Sequence, residues 1–319
     1  MCKNSKKPLI SIIIPTYKRP DKLSRSLESV LNQTYQKFEI IIVDDNNEKD
    51  KYRQETKEFI QKYNDPRIIY IKHRKNEGGA AARNTGIRKS NGQYIAFLDD
   101  DDAWRCDSLE IRVQKLFDSS NDFGVCFSNY NIITSKGKKR NKQSIVEGNI
   151  FKKQLLKDHV SPTSAVMVKK ECFDKVGLFD KNLPARQDYE MWIRISRHYK
   201  FIYVDELLVD IYRVNGNQRI STNHNNKIKG TKIVLDKIIN KYQYTLGKKY
   251  MNQVVVAKYL ELSKIYIKNN ESKKARIYLL KSLKLNALNY NIYLYFILTF
   301  INFKIINKLK VILGNLFDS

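Results

Sequence analysis

The stretch Gln93–Trp104, QYIAFLDDDDAW, decides how this chain is read. Tyr94 to Leu98 is a continuous apolar run of the kind that forms strands buried on both faces. It ends in four adjacent carboxylates, Asp99 to Asp102, followed by Ala103 and Trp104. Two like charges 4 Å apart repel by about 1 kcal/mol in water and about 4 kcal/mol at an effective dielectric near 20. A folded chain keeps such a cluster at a strand end only where something offsets the repulsion, and a cation is the expected partner.

Three similar runs precede this one: Leu9–Ile14 (LISIII), Phe38–Val43 (FEIIIV) and Ile68–Lys72 (IIYIK). Between them, Asp21–Gln33 follows Pro20 and carries Leu23, Leu27, Val30 and Leu31 as one helical stripe. Residues 49–63 and 80–90 also read as helices, the second entered through Gly78-Gly79. The β-α-β-α-β-α-β order predicts an α/β fold with a mostly parallel central sheet and helices on both faces. Ligands of such sheets sit beyond the carboxyl ends of the strands. The segments PTYKRP, DDNNEKD and DDDDAW should therefore open onto one rim. Beyond Trp104 the pattern predicts a helix over 105–119, strands over 123–134 and 163–169, a helix over 187–199 and a closing strand over 201–214. The expected division is an α/β domain over 1–220 and a basic, all-helical region over 221–319.

The chain has 319 residues and a formal net charge of +26. Residues 1–219 hold 41 Lys and Arg against 29 Asp and Glu, whereas residues 220–319 hold 18 against 4. The field of that last third attracts phosphates, whether of anionic lipid, nucleic acid or a phosphorylated substrate. No nucleic-acid motif or aromatic–basic platform is recognisable, so nucleic acid is not an expected partner. Val255, Tyr259, Leu262 and Tyr266 form one helical stripe, and Ala275, Leu279 and Leu283 another, with Asn269-Asn270-Glu271 as the turn of an αα-hairpin. Leu285–Phe303 is nineteen residues without a charge, followed by Lys304, Lys308 and Lys310. Four asparagines in it argue against a membrane span. It reads as a helix in the membrane interface or as a buried helix of the tail's own core. Lys136–Lys142 (KGKKRNK) reads as a solvated loop, with binding of an anionic ligand as the functional alternative. Cys2, Cys106, Cys126 and Cys172 show no paired spacing and read as free thiols of a reducing compartment. The apolar run near Met1 is short, interrupted by Pro15, and lacks a small-residue cleavage site, so no export signal is expected.

Carboxylates at a strand end suit Mg²⁺ or Mn²⁺, hard ions that keep waters and bridge to phosphates. A solvated acidic turn or helix N-cap is the structural alternative. Asp44-Asp45-Asn46 after the second run could accept hydrogen bonds from a base or ribose, or simply form a turn. PTYKRP lacks glycine where a dinucleotide fold needs G-x-G-x-x-G, which counts against an NAD enzyme, and there is no Walker A loop. Asp188, at the start of a helix in RQDYEMW, is either a cap or a general base for an acceptor hydroxyl. Trp104 and Trp192 read as core residues or as stacking platforms for a ligand.

In this order, "SIIIPTYKRPDKLSRSLESVLNQTY", "FEIIIVDDNN", "NEGGAAARNTGIRKSNGQYIAFLDDDDAW", "VGLFDKNL", "QDYEMWIRI" and "YRVNGNQRIS" resemble the family 2 inverting glycosyltransferases of the GT-A fold, of the bacterial surface-polysaccharide type. The resemblance spans about Leu9 to Ser221 and implies a nucleotide-diphosphate sugar donor, usually a UDP-sugar. By position it implies that Pro15, Thr16 and Tyr17 line the base and ribose pocket. Asp45 would face the base edge, with Asp44 the second candidate, and Arg83 would lie near the nucleotide. Asp99-x-Asp101 matches the family's DxD, with Asp101 as the ligand of Mn²⁺ or Mg²⁺ and Asp99 or Asp100 toward the ribose and donor sugar. Asp188 matches the catalytic base. Family members often carry a histidine where this chain has Asn215, and His224 lies nine residues further on, so the metal would have one protein ligand fewer. The implied activity is transfer to a glycan or lipid-linked acceptor at the cytoplasmic face of an anionic membrane. A catalytically silent partner subunit and a basic nucleic-acid-binding protein are the competing functions. Sugar, linkage and oligomeric state are not written in these motifs.

Overall fold

The computed structural model describes residues 7–141, 145–160, 162–213 and 223–301. Asn215, the 220/221 boundary and residues 302–310, with Lys304, Lys308 and Lys310, fall outside them. The chain opens with β1 (Ile10–Thr16), α1 (Pro20–Leu31), β2 (Phe38–Asp44), α2 (Lys51–Gln61), β3 (Ile68–Lys72), α3 (Gly79–Lys89) and β4 (Tyr94–Phe97). It continues with β5 (Ala103–Trp104), α4 (Ser108–Phe117), β6 (Phe123–Thr134), β7 (Gly137–Asn141), α5 (Phe151–Leu156), β8 (Val166–Lys169), α6 (Lys170–Val176), α7 (Gln187–Ser196) and β9 (Lys200–Tyr212). Helices α8 (His224–Tyr242), α9 (Lys248–Lys268), α10 (Ser272–Leu285) and α11 (Tyr290–Leu298) follow.

The strand order is β3-β2-β1-β4-β8-β6-β9-β5, with β7 hydrogen-bonded to β6. The half built from β3, β2, β1 and β4 is parallel, in a register that sets Thr16 opposite Asp44 and Ile13 opposite Phe97. Strand β8 then enters antiparallel to both β4 and β6, so β6 and β9 run in the same direction as β4. Every residue of β2, and all of β1 except Pro15, is buried. That is why these strands read as unbroken apolar runs instead of alternating. The pleat sends Ile12 and Ile14 into one core with Leu23, Leu27 and Val30 of α1, and Ile13 into the opposite core with Phe97, Phe127, Met191 and Trp192. Each fully buried side chain of this size contributes about 1.5–3 kcal/mol. Pro20 starts α1 at its first turn, where the missing N–H costs nothing. Residues 137–141, read above as loop, form β7: β6 is 12 residues long and folds back on itself, with Thr134 opposite Gly137.

Two compact units partition the chain: Met1–Gln154, Asp158–Lys181 and Gln187–Asn217 in one, Leu155–Lys157, Asn182–Arg186 and Gln218–Ser319 in the other. In the second, α9 and α10 make the αα-hairpin, with Asn270 at φ 59° in the turn. Leu262, Tyr266, Ala275 and Leu279 form its core with Ile292 and Tyr295 of α11. Lys258, 1% exposed, donates to the Leu156 carbonyl at 3.3 Å and lies 3.5 Å from Glu261, which also pairs with Arg186. The uncharged segment after Leu285 is not one helix. Asn289 accepts the Asn291 N–H at 3.1 Å and starts α11 after a turn, because asparagine satisfies a helix N-terminus better than it continues one. Among the described residues no helix is long and apolar enough to cross a membrane.

Candidate active site

The parallel register delivers the segments after β1, β2 and β4 to one edge of the sheet, and there the side chains meet. The four aspartates are not equivalent. Asp99 has a 38% exposed side chain, and its Oδ1 accepts from Arg83 Nη2 at 2.7 Å. Asp100, Asp101 and Asp102 are all buried. Thr16 Oγ1 donates to Asp100 Oδ2 at 2.9 Å. Arg19 Nη1 lies 3.3 Å from Asp100 Oδ1 and 3.2 Å from Asp101 Oδ2. The cation that the cluster calls for is therefore, first of all, arginine. Lys18 makes this possible by adopting φ 57°, a left-handed conformation that a non-glycine residue holds only at a cost of order 1 kcal/mol. Its N–H donates to Asn46 Oδ1 at 2.9 Å, which pins the turn. Burial pushes the Asp100 carboxyl up to about 7; Arg19 and the Thr16 hydroxyl pull against that shift, and Asp101 and Asp99 add to it.

A serine from outside every motif underlies the turn. Ser164 Oγ, fully buried, accepts the Asp99 N–H at 3.1 Å and donates to Asp102 Oδ2 at 2.7 Å. The Ser164 carbonyl accepts Trp104 Nε1–H at 2.7 Å. Trp104 is 5% exposed and stacked against the Arg112 guanidinium, and Trp192 is fully buried against Phe179. Both tryptophans are core residues; neither offers a face to a sugar.

Thr16, Arg83, Asp99, Asp100 and Asp101 thus form one connected cluster. Pro15 is half-buried, and Tyr17 is 37% exposed with the Lys18 ammonium 5.2 Å from its ring centroid. Asp45 adjoins the cluster, its N–H donating to the Thr16 carbonyl at 2.9 Å. Its own carboxylate is occupied. Oδ1 accepts from His73 Nδ1 and the Glu77 N–H, both at 2.8 Å; Oδ2 accepts from Asn76 Nδ2 at 3.0 Å and the Gly78 N–H at 2.8 Å. A carboxylate has about four acceptor positions, so Asp45 holds the 76–78 turn and presents no further lone pair to a base. That turn needs Gly78 at φ 90°, the cap of α3, the helix that carries Arg83. Asp44 is likewise engaged, by Asn46, Tyr70 and Arg53.

Asp188 lies in the first turn of α7, the helix that precedes β9. Helix α7 runs down to β9, whose first residue, Lys200, sits opposite Phe123 at the start of β6. Trp192, one turn below Asp188, touches Phe179, which in turn touches Phe97, the last residue of β4. Asp188 is half-buried, and its Oδ1 accepts the Tyr189 N–H at 2.9 Å. A carboxylate in the first turn of a helix is stabilised by the helix dipole.

Among the described residues no three His, Cys, Asp or Glu converge as a metal cage. The donors nonetheless fit a hydrated divalent ion: Asp101 and the half-exposed Asp99 offer hard oxygens on one short turn. Mg²⁺ and Mn²⁺ sites commonly use one or two carboxylates and leave the remaining positions to water and phosphate. Sequence reasoning missed Arg19, Ser164 and His73. Arg19 stands in the quoted PTYKRP, where a cation beside an acidic rim was the available signal. Ser164 and His73 had none, since their partners lie 28 to 65 residues away.

Comparison with known proteins bears on this geometry. Residues 11–177 match the profile of the family described as Glycosyl transferase family 2. An uncharacterized glycosyltransferase, MJ1057, of Methanocaldococcus jannaschii is 37% identical over 215 residues, 65% of this chain and 71% of that one. The putative teichuronic acid biosynthesis glycosyltransferase TuaG of Bacillus subtilis is 30% identical over 68% of this chain and 83% of its own length. The chain spans only 33%, 44% and 38% of three longer Rickettsia glycosyltransferases. Among solved structures, S. aureus TarS 1–349 in complex with UDP-GlcNAc superposes with a TM-score of 0.59 at 12% identity, covering 86% of this chain and 88% of that one. The mannosyltransferase PcManGT of Pyrobaculum calidifontis, in complex with GDP-Man and Mn²⁺, gives 0.56 at 16% identity, covering 92% and 86%.

Proposed function

The chain belongs to glycosyl transferase family 2 and has the GT-A fold, and from that premise we propose that it is an inverting enzyme using a nucleotide-diphosphate donor, a UDP-sugar. The observation that carries this reading is the connected cluster of Thr16, Arg19, Arg83 and Asp99–Asp101 at the carboxyl edge of the parallel strands. The names of TarS and PcManGT, solved with UDP-GlcNAc and with GDP-Man, lend it support.

Each residue then has a part. Pro15, Thr16 and Tyr17 line the base and ribose pocket. Asp45 shapes that pocket through the 76–78 turn it holds. Asp99 and Asp100 face the ribose and donor sugar, and Arg83 lies against the nucleotide. Asp101 holds Mn²⁺ or Mg²⁺. When bound, such an ion neutralises charge on the departing diphosphate. Asp188 accepts the proton of the incoming acceptor hydroxyl, on the face opposite the leaving group. One in-line displacement inverts the anomeric carbon and converts an α-linked donor into a β-linked product. Fixed positions for both partners supply a large share of the acceleration.

The acceptor is a glycan or lipid-linked oligosaccharide presented at the cytoplasmic face of an anionic membrane, with TuaG as the relative whose name points to surface polysaccharide. The helical unit suits that location. It exposes Leu288 (96%), Tyr290, Ile297 and Phe300, in a stretch of sequence where residues 220–319 hold 18 Lys and Arg against 4 Asp and Glu. The test is incubation with Mn²⁺ and a panel of nucleotide sugars, reading released nucleotide and transferred sugar. Asp188→Asn should abolish transfer while UDP still binds. Full transfer by that variant would end the assignment of the base.

A further inference from the structure

His73 follows β3 directly, and no step of the proposed reaction uses it. Its main chain is fixed on both sides: the N–H donates to the Asp44 carbonyl at 2.9 Å, and the carbonyl accepts from Arg53. Both ring nitrogens are engaged as well. Nδ1 lies 2.8 Å from Asp45 Oδ1, and Nε2 lies 2.9 Å from Thr85 Oγ1. The His73 and Asp45 side chains are only 9% and 4% exposed, so solvent is a poor substitute for either partner. An ionised carboxylate only accepts. The neutral ring therefore carries its hydrogen on Nδ1, donates it to Asp45, and accepts the Thr85 hydroxyl hydrogen at Nε2.

The two partners both act on α3. Asp45 accepts the Glu77 and Gly78 N–H groups at the entrance of that helix. Thr85 lies within it, two positions after Arg83, whose Nη2 reaches Asp99 Oδ1 at 2.7 Å. The helix is thus held at two points about two turns apart: at its Gly78 cap by Asp45, and at Thr85 by the ring that Asp45 also holds. Two such points fix the roll of a helix about its axis, and the roll decides where the Arg83 guanidinium lies. Resting on the donor reading above, we infer that His73 is a positioning residue for donor binding: its imidazole ties the Asp45 carboxylate to the Thr85 hydroxyl and so sets the roll of α3 that places Arg83 against the nucleotide.

Three substitutions test this path. His73→Asn keeps a donor at the place of Nδ1 and loses the bond to Thr85. Thr85→Val loses the same bond from the other side and keeps the shape of the side chain. His73→Ala loses both bonds. UDP in saturating Mn²⁺, followed by calorimetry, should bind each of the first two about fivefold more weakly than the unaltered chain, and His73→Ala about thirtyfold more weakly. Combining His73→Asn with Thr85→Val should be no worse than either alone, since one bond is lost once. With the nucleotide sugar that the panel identifies, KM should rise in the same order while kcat stays within about twofold, because neither Asp188 nor Asp101 is touched. A residue with only a structural role would instead lower kcat and Tm and leave the UDP affinity of the folded fraction unchanged. Nitrogen NMR of the unaltered chain should show the neutral His73 ring with its hydrogen on Nδ1, a readout that stands even where His73→Ala does not fold. Fully additive losses in the double variant, unchanged UDP binding by Thr85→Val, or a ring hydrogen on Nε2 would each overturn the inference while the donor reading stands. An unaltered chain that binds no UDP would overturn both.

Discussion

Ser164→Ala isolates a single hydroxyl beneath the acidic turn. The Ser164 carbonyl, which accepts from Trp104, is unaffected by the change, so the packing of that indole is preserved. Two bonds disappear: the one to Asp102 Oδ2 at 2.7 Å and the one from the Asp99 N–H at 3.1 Å. A hydrogen bond to a buried charged group contributes about 1.5–3 kcal/mol, and a neutral one about 1 kcal/mol. The expected loss is about 2–4 kcal/mol, or about 5–12 °C in Tm for a unit of roughly two hundred residues. Urea unfolding followed by tryptophan fluorescence reports it directly, because Trp104 and Trp192 are both buried in this unit and the chain has 2 tryptophans. The turn that presents Asp99 and Asp101 should also lose its register. A displacement near 1 Å is enough to lower kcat/KM by about 10²-fold. A variant within about 0.5 kcal/mol of the unaltered chain, with unchanged UDP binding, would refute the claim that Ser164 supports the acidic turn.

Three further changes probe the scaffold. Glu39 is buried, which alone would raise its pKa, but bonds from Ser11 and from the Asn91 N–H and side chain prevail and hold it below the ordinary carboxylate value. Its stabilisation is then complete above the unfolded carboxylate range and is lost as pH falls through the lowered folded value. Glu39→Gln should cost about 1–3 kcal/mol at pH 7, and the gap should narrow as pH falls below the unfolded carboxylate range in urea titrations run across pH; a pH-independent gap would contradict this. At Gly86 an added Cβ would lie 2.5 Å from Ile13 Cγ2, so Gly86→Ala should lose about 1–3 kcal/mol despite the better helix propensity of alanine. Pairing it with Ile13→Ala should recover part of the loss; equal additive losses would show that the contact is not the cause. Arg112 is fully buried, its pKa lowered to about 10 by burial, with Nη1 lacking a hydrogen-bond partner and no ion pair found among the described residues. Arg112→Met should therefore be neutral or stabilising by about 1 kcal/mol in thermal unfolding, since a buried charge without its counter-ion is a liability; a loss above about 3 kcal/mol would show that the Ser108 bonds and the Trp104 stacking outweigh desolvation.

What could be read from the sequence follows from where the energy is local. Strands β1, β2 and β4 announced themselves because a strand buried on both faces must be apolar at every position, and α1 because one helical face must be. Strand β5, two residues long, and β7, built from GKKRN, carry no apolar pattern, since pairing alone places them. The closure of the sheet by an antiparallel β8 was equally silent, because VMVK has no directional signature. Within the site, the four aspartates were legible through a violated rule: like charges gathered at a buried strand end imply a compensation elsewhere. Coulomb repulsion demanded a cation but did not name it. A guanidinium 81 to 82 residues away satisfies the demand as well as a metal ion would. Asp45 shows the opposite limit. Two of the four groups that fill its acceptor positions are backbone N–H groups of a turn, a property of conformation and not of residue type. A motif therefore tells which carboxylates matter, and only the folded contacts tell whether each one is free to bind a ligand or already spent on holding the chain. Asp100 accepts from Thr16 and shares Arg19 with Asp101, whereas Asp45 accepts four bonds from His73, Asn76 and the Glu77 and Gly78 N–H groups.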